Sequence, residues 1–402
     1  MRFKERKFGS WLVVLLLAAA PAAYGLGVPA GSGSGEAPDA SVMDPTVPQP
    51  ITVGFDHVCG LTPQGDVHCW GGNRAGQLGA PGEADVELEP LQVTGGIAFE
   101  RVSAGQLRTC GVAGGEAYCW GSNQFGGLGD GGDENRAEPG PVAGGLSFTA
   151  VSAGTRHACG LTDGGEIHCW GVNRQGQLGD GTTENRDTPT PVASDLSFTA
   201  VSAGLEHTCA LTDGGEAYCW GSNHAGQVGA GERSASRPEP TAVAGDLTFE
   251  TLSAGYNVTC GLTAAGEAYC WGVNHTGAVG DGEDELRTEP TAVVGGHTFQ
   301  TVSVGYLHVC GITQAGETYC WGLNSRGQLG DGTRNNRNEP TPVTGDVSFE
   351  HVSAGGYHTC GVTAGGEAHC WGRDLSQGIG GDTDSDVLEP AATAEGITFG
   401  MP

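Results

Sequence analysis

VSAGTRHACGLTDGGEIHCWGVNRQGQLG, residues 151–179, contains the pattern that decides the fold of this chain. A Cys-Trp-Gly triplet lies within it, and apart from Trp11 every Trp of the chain stands in such a triplet. These residues recur at spacings of 50 or 51: Trp70, Trp120, Trp170, Trp220, Trp271, Trp321 and Trp371. Seven phased copies of one unit indicate a repeat architecture rather than several separate domains.

Each unit reads as four short strands. The first ends in Val-Ser-Ala-Gly, the second contains the first Cys of the unit, the third contains Cys-Trp-Gly, and the fourth begins at a Pro. Small residues suit a crowded centre, and Pro suits an outer edge strand, where its missing N–H does no harm. These prolines are Pro90, Pro139, Pro189, Pro240, Pro290, Pro340 and Pro390. The pattern predicts an all-β fold, a seven-bladed β-propeller of four-stranded antiparallel blades over residues 51–402.

The two ends of the repeat region predict how the ring closes. In units 2 to 7 a Phe precedes the Gly of the first strand by six residues, whereas the first unit has Pro48 there. The missing seventh Phe is Phe399, near the C-terminus. We therefore expect residues 396–399 to complete the first strand that continues as residues 51–54. A closed ring needs such a segment, and a linear array does not.

The units resemble the regulator of chromosome condensation repeat family, whose consensus has G-x-x-H-T-x-A-L-T followed by W-G-x-N-x-x-G-Q-L-G. The resemblance covers about residues 51–402, with departures at Arg108 and Val258 for the His and at Gly127 and Ala278 for the Gln. It implies a seven-bladed propeller of the secreted bacterial type. It does not imply one activity, because family members include nucleotide-exchange factors, chromatin binders, light sensors and secreted inhibitors.

Fourteen cysteines fall two to a unit, ten residues apart in six units and nine apart in one. The nine-residue spacing accompanies a shorter turn at Gly114-Gly115, so both spacings place the two cysteines opposite each other on paired strands. Opposed positions lie within disulfide reach, although buried free thiols are the alternative. We expect intra-blade disulfides that join Cys59 to Cys69, Cys110 to Cys119, Cys159 to Cys169, Cys209 to Cys219, Cys260 to Cys270, Cys310 to Cys320 and Cys360 to Cys370.

The N-terminus predicts export. Four basic residues precede an apolar run over residues 11–20, and small residues follow, which is typical of a secretory signal over residues 1–23. The run is short for a membrane span, although an uncleaved anchor is the alternative. Residues 24–50 are rich in Gly, Ser and Pro and predict a linker. We expect a secreted or periplasmic protein, with disulfides typical of that compartment and no membrane span in the mature chain.

The charge of the chain disfavours nucleic-acid binding. The net charge is −29, and loss of the signal would leave 14 Arg, no Lys and 46 acidic residues. A surface this acidic repels phosphate backbones. Two explanations for the missing Lys stay open, a genome that favours Arg codons and life in high salt, where screening weakens self-repulsion.

The repeat offers few residues for metal binding or catalysis. Four units have Tyr where zinc would need a second His, so no metal is expected. His57, His157, His207, His308 and His358 are interpreted as structural, with hydrogen bonds inside their own blades. The loops that begin at Asp130 and Asp281 are rich in oxygen ligands but lack EF-hand spacing, so calcium binding is a weaker alternative. The innermost Ser residues have no base beside them in sequence, so no catalytic residue and no cofactor are predicted, and a hydrolase or lyase is the least favoured alternative.

The function that remains is binding of another macromolecule, most simply a protein. We expect the chain to be a monomer. The first-to-second and third-to-fourth connections of each blade must share one face of the disc, and their aromatic and Arg residues are of the types that dominate interfaces. The candidate partner-binding residues are Phe55, Arg74, Arg108, Phe125, Arg156, Arg174, Glu206, His224, Tyr256, His275, Tyr306, Arg326 and Tyr357. Ordinary solvated loops, in a purely structural extracellular module, are the alternative.

Overall fold

The computed structural model describes residues 49–82, 84–374 and 385–402. Its strands form seven four-stranded antiparallel sheets, each containing four consecutive strands in chain order. The predicted seven-bladed propeller is therefore confirmed. The predicted signal and residues 24–48 of the predicted linker lie outside the described residues. Among the residues that are described, no helix is long and apolar enough to cross a bilayer.

Each blade begins with its innermost strand, since the first strands of all seven blades line a cavity of about 280 Å³ at the centre of the ring. The first strands are β1 (Ile51–Val53), β5 (Arg101–Ala104), β9 (Phe148–Ala153), β13 (Phe198–Ala203), β17 (Thr251–Ala254), β21 (Phe299–Val304) and β25 (His351–Ala354). The second strands, buried in the blades, are β2 (His57–Leu61), β6 (Arg108–Ala113), β10 (His157–Thr162), β14 (His207–Thr212), β18 (Val258–Leu262), β22 (His308–Thr313) and β26 (His358–Val362).

The outer half of each blade contains the Trp strand and the edge strand. The third strands are β3 (Val67–Gly72), β7 (Glu116–Gly121), β11 (Ile167–Gly171), β15 (Ala217–Ser222), β19 (Ala268–Gly272), β23 (Thr318–Gly322) and β27 (Ala368–Gly372). The fourth strands are β4 (Val86–Gln92), β8 (Arg136–Pro141), β12 (Arg186–Pro191), β16 (Ser236–Ala242), β20 (Arg287–Ala292), β24 (Arg337–Pro342) and β28 (Val387–Thr393).

The fourth strand does not begin at its Pro, as the sequence predicted. In blade 3 it begins at Arg186, three residues before Pro189. The pairing of β11 with β12 shifts register between Cys169 and Gly171, and Pro189 lies in this irregular stretch. A bulge on an edge strand leaves residues outside the ladder, so the missing N–H of Pro costs no hydrogen bond there.

The innermost serines join each blade to the next. The backbone N–H of Ala153 donates to Ser103 Oγ at 3.0 Å, and Ala203 donates to Ser152 Oγ in the same way. Val53 N donates to Ser353 Oγ at 3.0 Å, which joins the last blade to the first. In blade 1 the hydroxyl comes from Thr52, which accepts from Ala104 N. Seven such bonds form a closed belt around the centre.

The Gly that follows this belt is required by close approach between blades. A Cβ atom added at Gly154 would lie 2.5 Å from the carbonyl oxygen of Gly204, and one at Gly355 would lie 2.3 Å from that of Gly54. All seven glycines of this position have the same relation to the next blade. The repeated Ala-Gly therefore sets the distance between innermost strands.

Ring closure follows the prediction. Phe399 is 2% exposed and its ring centroid lies 5.9 Å from that of Trp70, as Phe99 lies beside Trp120 in blade 2. Its N–H donates to Gly366 O of blade 7, while Gly400 N donates to Leu61 O of blade 1. The C-terminal segment thus completes the core of blade 1. Pro50 also joins this blade, because its carbonyl accepts from Leu61 N.

The structure contains the seven disulfides expected from sequence, all within blades. Each joins the second strand of a blade to the third strand of the same blade, and the two Cα atoms of each pair lie 4.1 Å apart. The shorter turn of blade 2 still places its two cysteines directly opposite each other in the ladder. The bonds join Cys59 to Cys69, Cys110 to Cys119, Cys159 to Cys169, Cys209 to Cys219, Cys260 to Cys270, Cys310 to Cys320 and Cys360 to Cys370.

Candidate functional site

Short turns between first and second strands place four aromatic side chains at one mouth of the central cavity. The turn of blade 5 is closed by a hydrogen bond from Gly255 N to Val258 O, and Tyr256 lies at its tip. The same turn geometry recurs in blades 1, 6 and 7. Backbone N–H groups of these tips also bond to the next blade, as Tyr306 N does to Gly355 O at 2.9 Å. The turn tips are therefore held rigidly.

Phe55, Tyr256, Tyr306 and Tyr357 form one aromatic cluster there. The centroid of Tyr306 lies 4.1 Å from that of Tyr256 and 5.1 Å from that of Tyr357. Phe55 meets both Tyr306 and Tyr357 edge-on, with centroids 5.9 Å apart. All four rings are half-buried. The cluster spans the consecutive blades 5, 6 and 7 together with blade 1, whose Phe55 reaches it only because the ring is closed.

The hydroxyl of Tyr306 is a hydrogen-bond donor at neutral pH. Burial raises the pKa of Tyr306 well above its usual range, and the neighbouring Tyr256 and Tyr357 raise it further. The cluster thus combines apolar ring area with polar tips. Side chains of this type dominate protein interfaces, because they offer large contact area with little conformational entropy to lose.

The other predicted residues lie mostly on the same side of the disc, called here the loop face because it bears the first-to-second and third-to-fourth connections. The opposite side, which bears the short second-to-third turns, is called the turn face. Arg174 lies over the ring of Phe125 at 5.1 Å, and Arg326 lies 3.6 Å from Asp386. Glu206 is half-buried. The remaining members stand on the same two sets of connections: Arg74, Arg156, His224 and His275.

Arg108 does not belong to the exposed face, so its assignment to the partner-binding residues was wrong. Its side chain is 3% exposed, because it occupies the buried position that His takes in five other blades. Burial lowers the pKa of Arg108 to about 10, which still leaves it charged at neutral pH. The alignment on the repeat already showed this position to be that of the buried His.

Four of the five repeated histidines bond to the next blade, so the interpretation that they bond inside their own blades was wrong; His358 has no hydrogen-bond partner among the described residues. His157 Nε2 lies 2.8 Å from Thr208 Oγ1 of the next blade, and this hydroxyl donates to Gln177 O at 2.8 Å. The single hydroxyl proton is used on the carbonyl, so His157 Nε2 must be the donor to Thr208. We call this set a His–Thr bridge, and it recurs between His57 and Thr109, between His207 and Thr259, and between His308 and Thr359.

The central cavity is lined by the innermost strands of all seven blades. Its described lining contains hydroxyls, small and aliphatic residues, Gln49 and Arg101, but neither a carboxylate nor a histidine. The hydroxyl of Ser152, like those of the other blades, accepts a backbone N–H from the next blade. The serines therefore have a structural role that sequence alone did not reveal.

The first Asp of each loop considered for calcium has its carboxylate bonded within the protein. Asp130 accepts from Asn123 Nδ2 at 3.0 Å, from Gly132 N at 2.9 Å and from Arg136 at 2.8 Å. Three further Asp residues pair likewise with the Arg six residues later in the chain: Asp180, Asp281 and Asp331. That Asp-to-Arg spacing was the sequence signal for these pairs. Among the residues that the structure describes, no group of three or more His, Cys, Asp or Glu side chains could hold a metal ion.

The fold is similar to solved propellers. Yeast RCC1 (Prp20) is 19% identical to this chain, with 90% of this chain and 89% of that chain covered at a TM-score of 0.72. A second structure of Prp20p from Saccharomyces cerevisiae is 22% identical over 76% and 80%, and human WBSCR16 is 21% identical over 76% and 83%, each at a TM-score of 0.69. At these identities the likeness concerns the fold alone. A comparison with curated protein sequences gives no match.

Two family models, both described as the Regulator of chromosome condensation (RCC1) repeat, match most of the propeller. One matches residues 114–161, 164–211, 214–262, 265–312 and 315–362. The other matches residues 51–77, 148–177, 198–227, 249–278, 299–328 and 349–377. These matches cover well over half of the chain, so this protein belongs to the family of Regulator of chromosome condensation (RCC1) repeat proteins.

Proposed function

We propose that this protein is a non-catalytic, extracytoplasmic binding propeller that recognises another protein through its loop face. The observation that supports this most is the aromatic cluster of Phe55, Tyr256, Tyr306 and Tyr357 at the mouth of the central cavity. Four half-buried rings on rigid turns form a pre-organised anchor, which lowers the entropy cost of association.

The distribution of charge favours the loop face over the turn face. Each of the seven second-to-third turns contains or adjoins at least one acidic residue and none contains Arg or Lys, as in the turn Asp163-Gly-Gly-Glu166. The loop face has Arg74, Arg156 and Arg174 together with acidic side chains and aromatic rings. A surface of both charge signs around an apolar centre is typical of protein interfaces, whereas a surface of one sign repels most partners in this acidic protein.

The similar structures support binding as the general role of this fold. One of them concerns Prp20p and its binding properties to Gsp1p and histones, and another is Kap60 bound to yeast RCC1 (Prp20). A further structure, 23% identical with a TM-score of 0.53, is the ectodomain of a receptor kinase from Arabidopsis thaliana. These partners belong to those proteins. For this chain they favour a protein partner without naming it.

The compartment is proposed from cysteine chemistry. Every cysteine of the chain belongs to one of the seven disulfides, and no free cysteine occurs. Disulfides persist in oxidising compartments and are rare in the cytosol. Together with the signal-like residues 1–23, this supports a secreted or periplasmic location.

The test combines partner capture with matched variants. Wild-type protein is used to capture partners from the extracytoplasmic fraction of the native culture, and each captured protein is identified by mass spectrometry and purified. The dissociation constant is then measured for Tyr256→Ala, Tyr306→Ala and Tyr357→Ala, each of which we expect to weaken binding by about 1–4 kcal/mol.

Asp163→Ala and Asp213→Ala on the turn face serve as controls and should leave the dissociation constant unchanged. Circular dichroism of each variant checks that the propeller is folded. The proposal fails if the turn-face variants weaken binding while the tyrosine variants do not.

A further inference from the structure

The interface between blades 2 and 3 contains a buried charge without a counter-ion among the described residues. Arg108 is 3% exposed, and its Nε and Nη1 have no hydrogen-bond partner. Across the interface it faces His157, whose pKa is lowered to about 3 by burial and then by the charge of Arg108. A guanidinium taken out of water and left unpaired is strongly unfavourable.

A second unpartnered donor lies at the same interface. The indole N–H of Trp170 is fully buried and has no acceptor among the residues that the structure describes. In five other blades the Trp donates to a carbonyl of the preceding blade, as Trp220 does to Gln177 O at 2.9 Å. Three buried nitrogens that carry N–H groups, two in Arg108 and one in Trp170, thus lack acceptors at one interface.

The two side chains face the same short loop. A Cβ atom at Gly127 would lie 2.4 Å from Arg108 Nη2, and one at Gly129 would lie 2.8 Å from Trp170 Nε1. Gly127 stands where four other blades have Gln, and Ala158 stands where the His–Thr bridge has its Thr. Both replacements remove side-chain hydrogen-bond acceptors from the surroundings of Arg108, and its guanidinium occupies the space beside Gly127 where a Gln side chain would begin.

The interface between blades 5 and 6 shows that losing the bridge does not by itself leave unpartnered donors. Its three equivalent residues are Val258, Val309 and Ala278, all buried and apolar. Trp321 there still donates to Ala278 O at 3.1 Å. Only the interface of blades 2 and 3 combines the loss of acceptors with a buried cation, among the interfaces that the structure describes in full.

We propose that Arg108 and Trp170 bind a small monovalent anion of the size of chloride between blades 2 and 3. The anion neutralises the guanidinium and accepts from the buried N–H groups, as ionised acceptors do most strongly. The guanidinium lies against Gly127 between two packed blades, which suits a small ion and excludes larger solutes.

Thermal unfolding of the full chain in sodium chloride, sodium bromide and sodium gluconate, at equal ionic strength, tests this proposal. Binding to the folded state alone raises the melting temperature with anion concentration. We expect a higher melting temperature in chloride and bromide than in gluconate. The difference should disappear in Arg108→Met and remain in Arg156→Met, which removes an exposed Arg from the neighbouring turn.

The triple variant Arg108→His, Gly127→Gln and Ala158→Thr rebuilds a His–Thr bridge and keeps the test decisive if Arg108→Met does not fold. It should melt at the same temperature in chloride and gluconate. Crystals grown in bromide should show an anomalous peak in contact with Arg108. Equal melting of the wild type in all three salts overturns the proposal, as does a chloride effect that persists in the triple variant.

Discussion

The interface between blades 3 and 4 and the interface between blades 5 and 6 have the same backbone contacts but opposite chemistry. The first contains the His–Thr bridge of His157, Thr208 and the carbonyl of Gln177. The second contains only apolar side chains at the equivalent positions, which are Val258, Val309 and Ala278. At the interface of blades 5 and 6 the three positions are apolar together, so no polar member is buried there without its partner. The comparison shows that a complete apolar set can take the place of a complete polar set in this ring.

The largest loss of stability is expected when the interface of blades 7 and 1 is disrupted, because this interface depends on the C-terminal segment. Deleting residues 396–402 removes Phe399 and the hydrogen bonds of residues 399 and 400 to the two blades. Loss of a buried Phe side chain alone costs about 3–5 kcal/mol. We expect a lower and broader melting transition, because arrays that lose a terminal interface lose cooperativity.

Deletion of residues 401–402 alone is the matched control and should melt like the wild type. Calorimetry measures both variants. An unchanged transition after the longer deletion would show that residues 49–53 complete blade 1 without Phe399.

A smaller effect is expected when one member of a polar set is replaced. Thr208→Val leaves the buried Nε2–H of His157 without an acceptor, which should lower the free energy of unfolding by about 1–3 kcal/mol. The reverse change, Val309→Thr, adds a hydroxyl that can donate to Ala278 O, so it should cost less. Guanidinium unfolding compares the two, and a larger loss for Val309→Thr would contradict the comparison.

The smallest effect is a change in the pH dependence of stability. Burial lowers the pKa of His157 to about 3, and that of His207 to about 4, from a usual value of 6.5. The unfolded chain therefore binds more protons than the folded chain between pH 6.5 and these values, so stability is greatest above pH 6.5 and falls as the pH is lowered. Each such His contributes a slope of up to about 1.4 kcal/mol per pH unit.

His157→Gln should reduce this slope by up to the contribution of one His between about pH 6.5 and about pH 4.5. Val258→Ala, at the interface without a bridge, should lower stability equally at every pH in that range. Guanidinium unfolding at several pH values measures both slopes. Identical slopes for wild type and His157→Gln would show that His157 is not kept neutral by burial.

Much of the fold was predictable because its determinants are local. The Cys spacing follows from hairpin register, and the shorter turn at Gly114-Gly115 restores that register in blade 2. The position of Phe399 followed from counting one missing aromatic residue in a regular repeat. The predicted start of the fourth strands was wrong. The bulge around Pro189 depends on pairing with the third strand rather than on the Pro itself.

The candidate site was predictable only as a set of positions. The repeat indicated that the loop-face connections vary between units. The varying positions include Phe55, Tyr256, Tyr306 and Tyr357. Their contact with one another depends on blades 5, 6, 7 and 1 meeting in the closed ring. Arg108 was misassigned because it was taken for a variable loop residue, although it occupies a buried strand position.

By itself the sequence determined the number of blades, the C-terminal segment that closes the ring and the pairs of cysteines. Each depends on spacing along the chain, and spacing is visible in a repeat. Only the tertiary structure decided which side chains meet across blade interfaces: the serine belt, the His–Thr bridges, the aromatic cluster and the unpaired Arg108. These contacts join residues about 50 or more positions apart, and they depend on the distance between innermost strands that the glycine ring sets. Because these contacts are buried, a donor that loses its acceptor cannot bond to water instead, and the loss costs folding free energy.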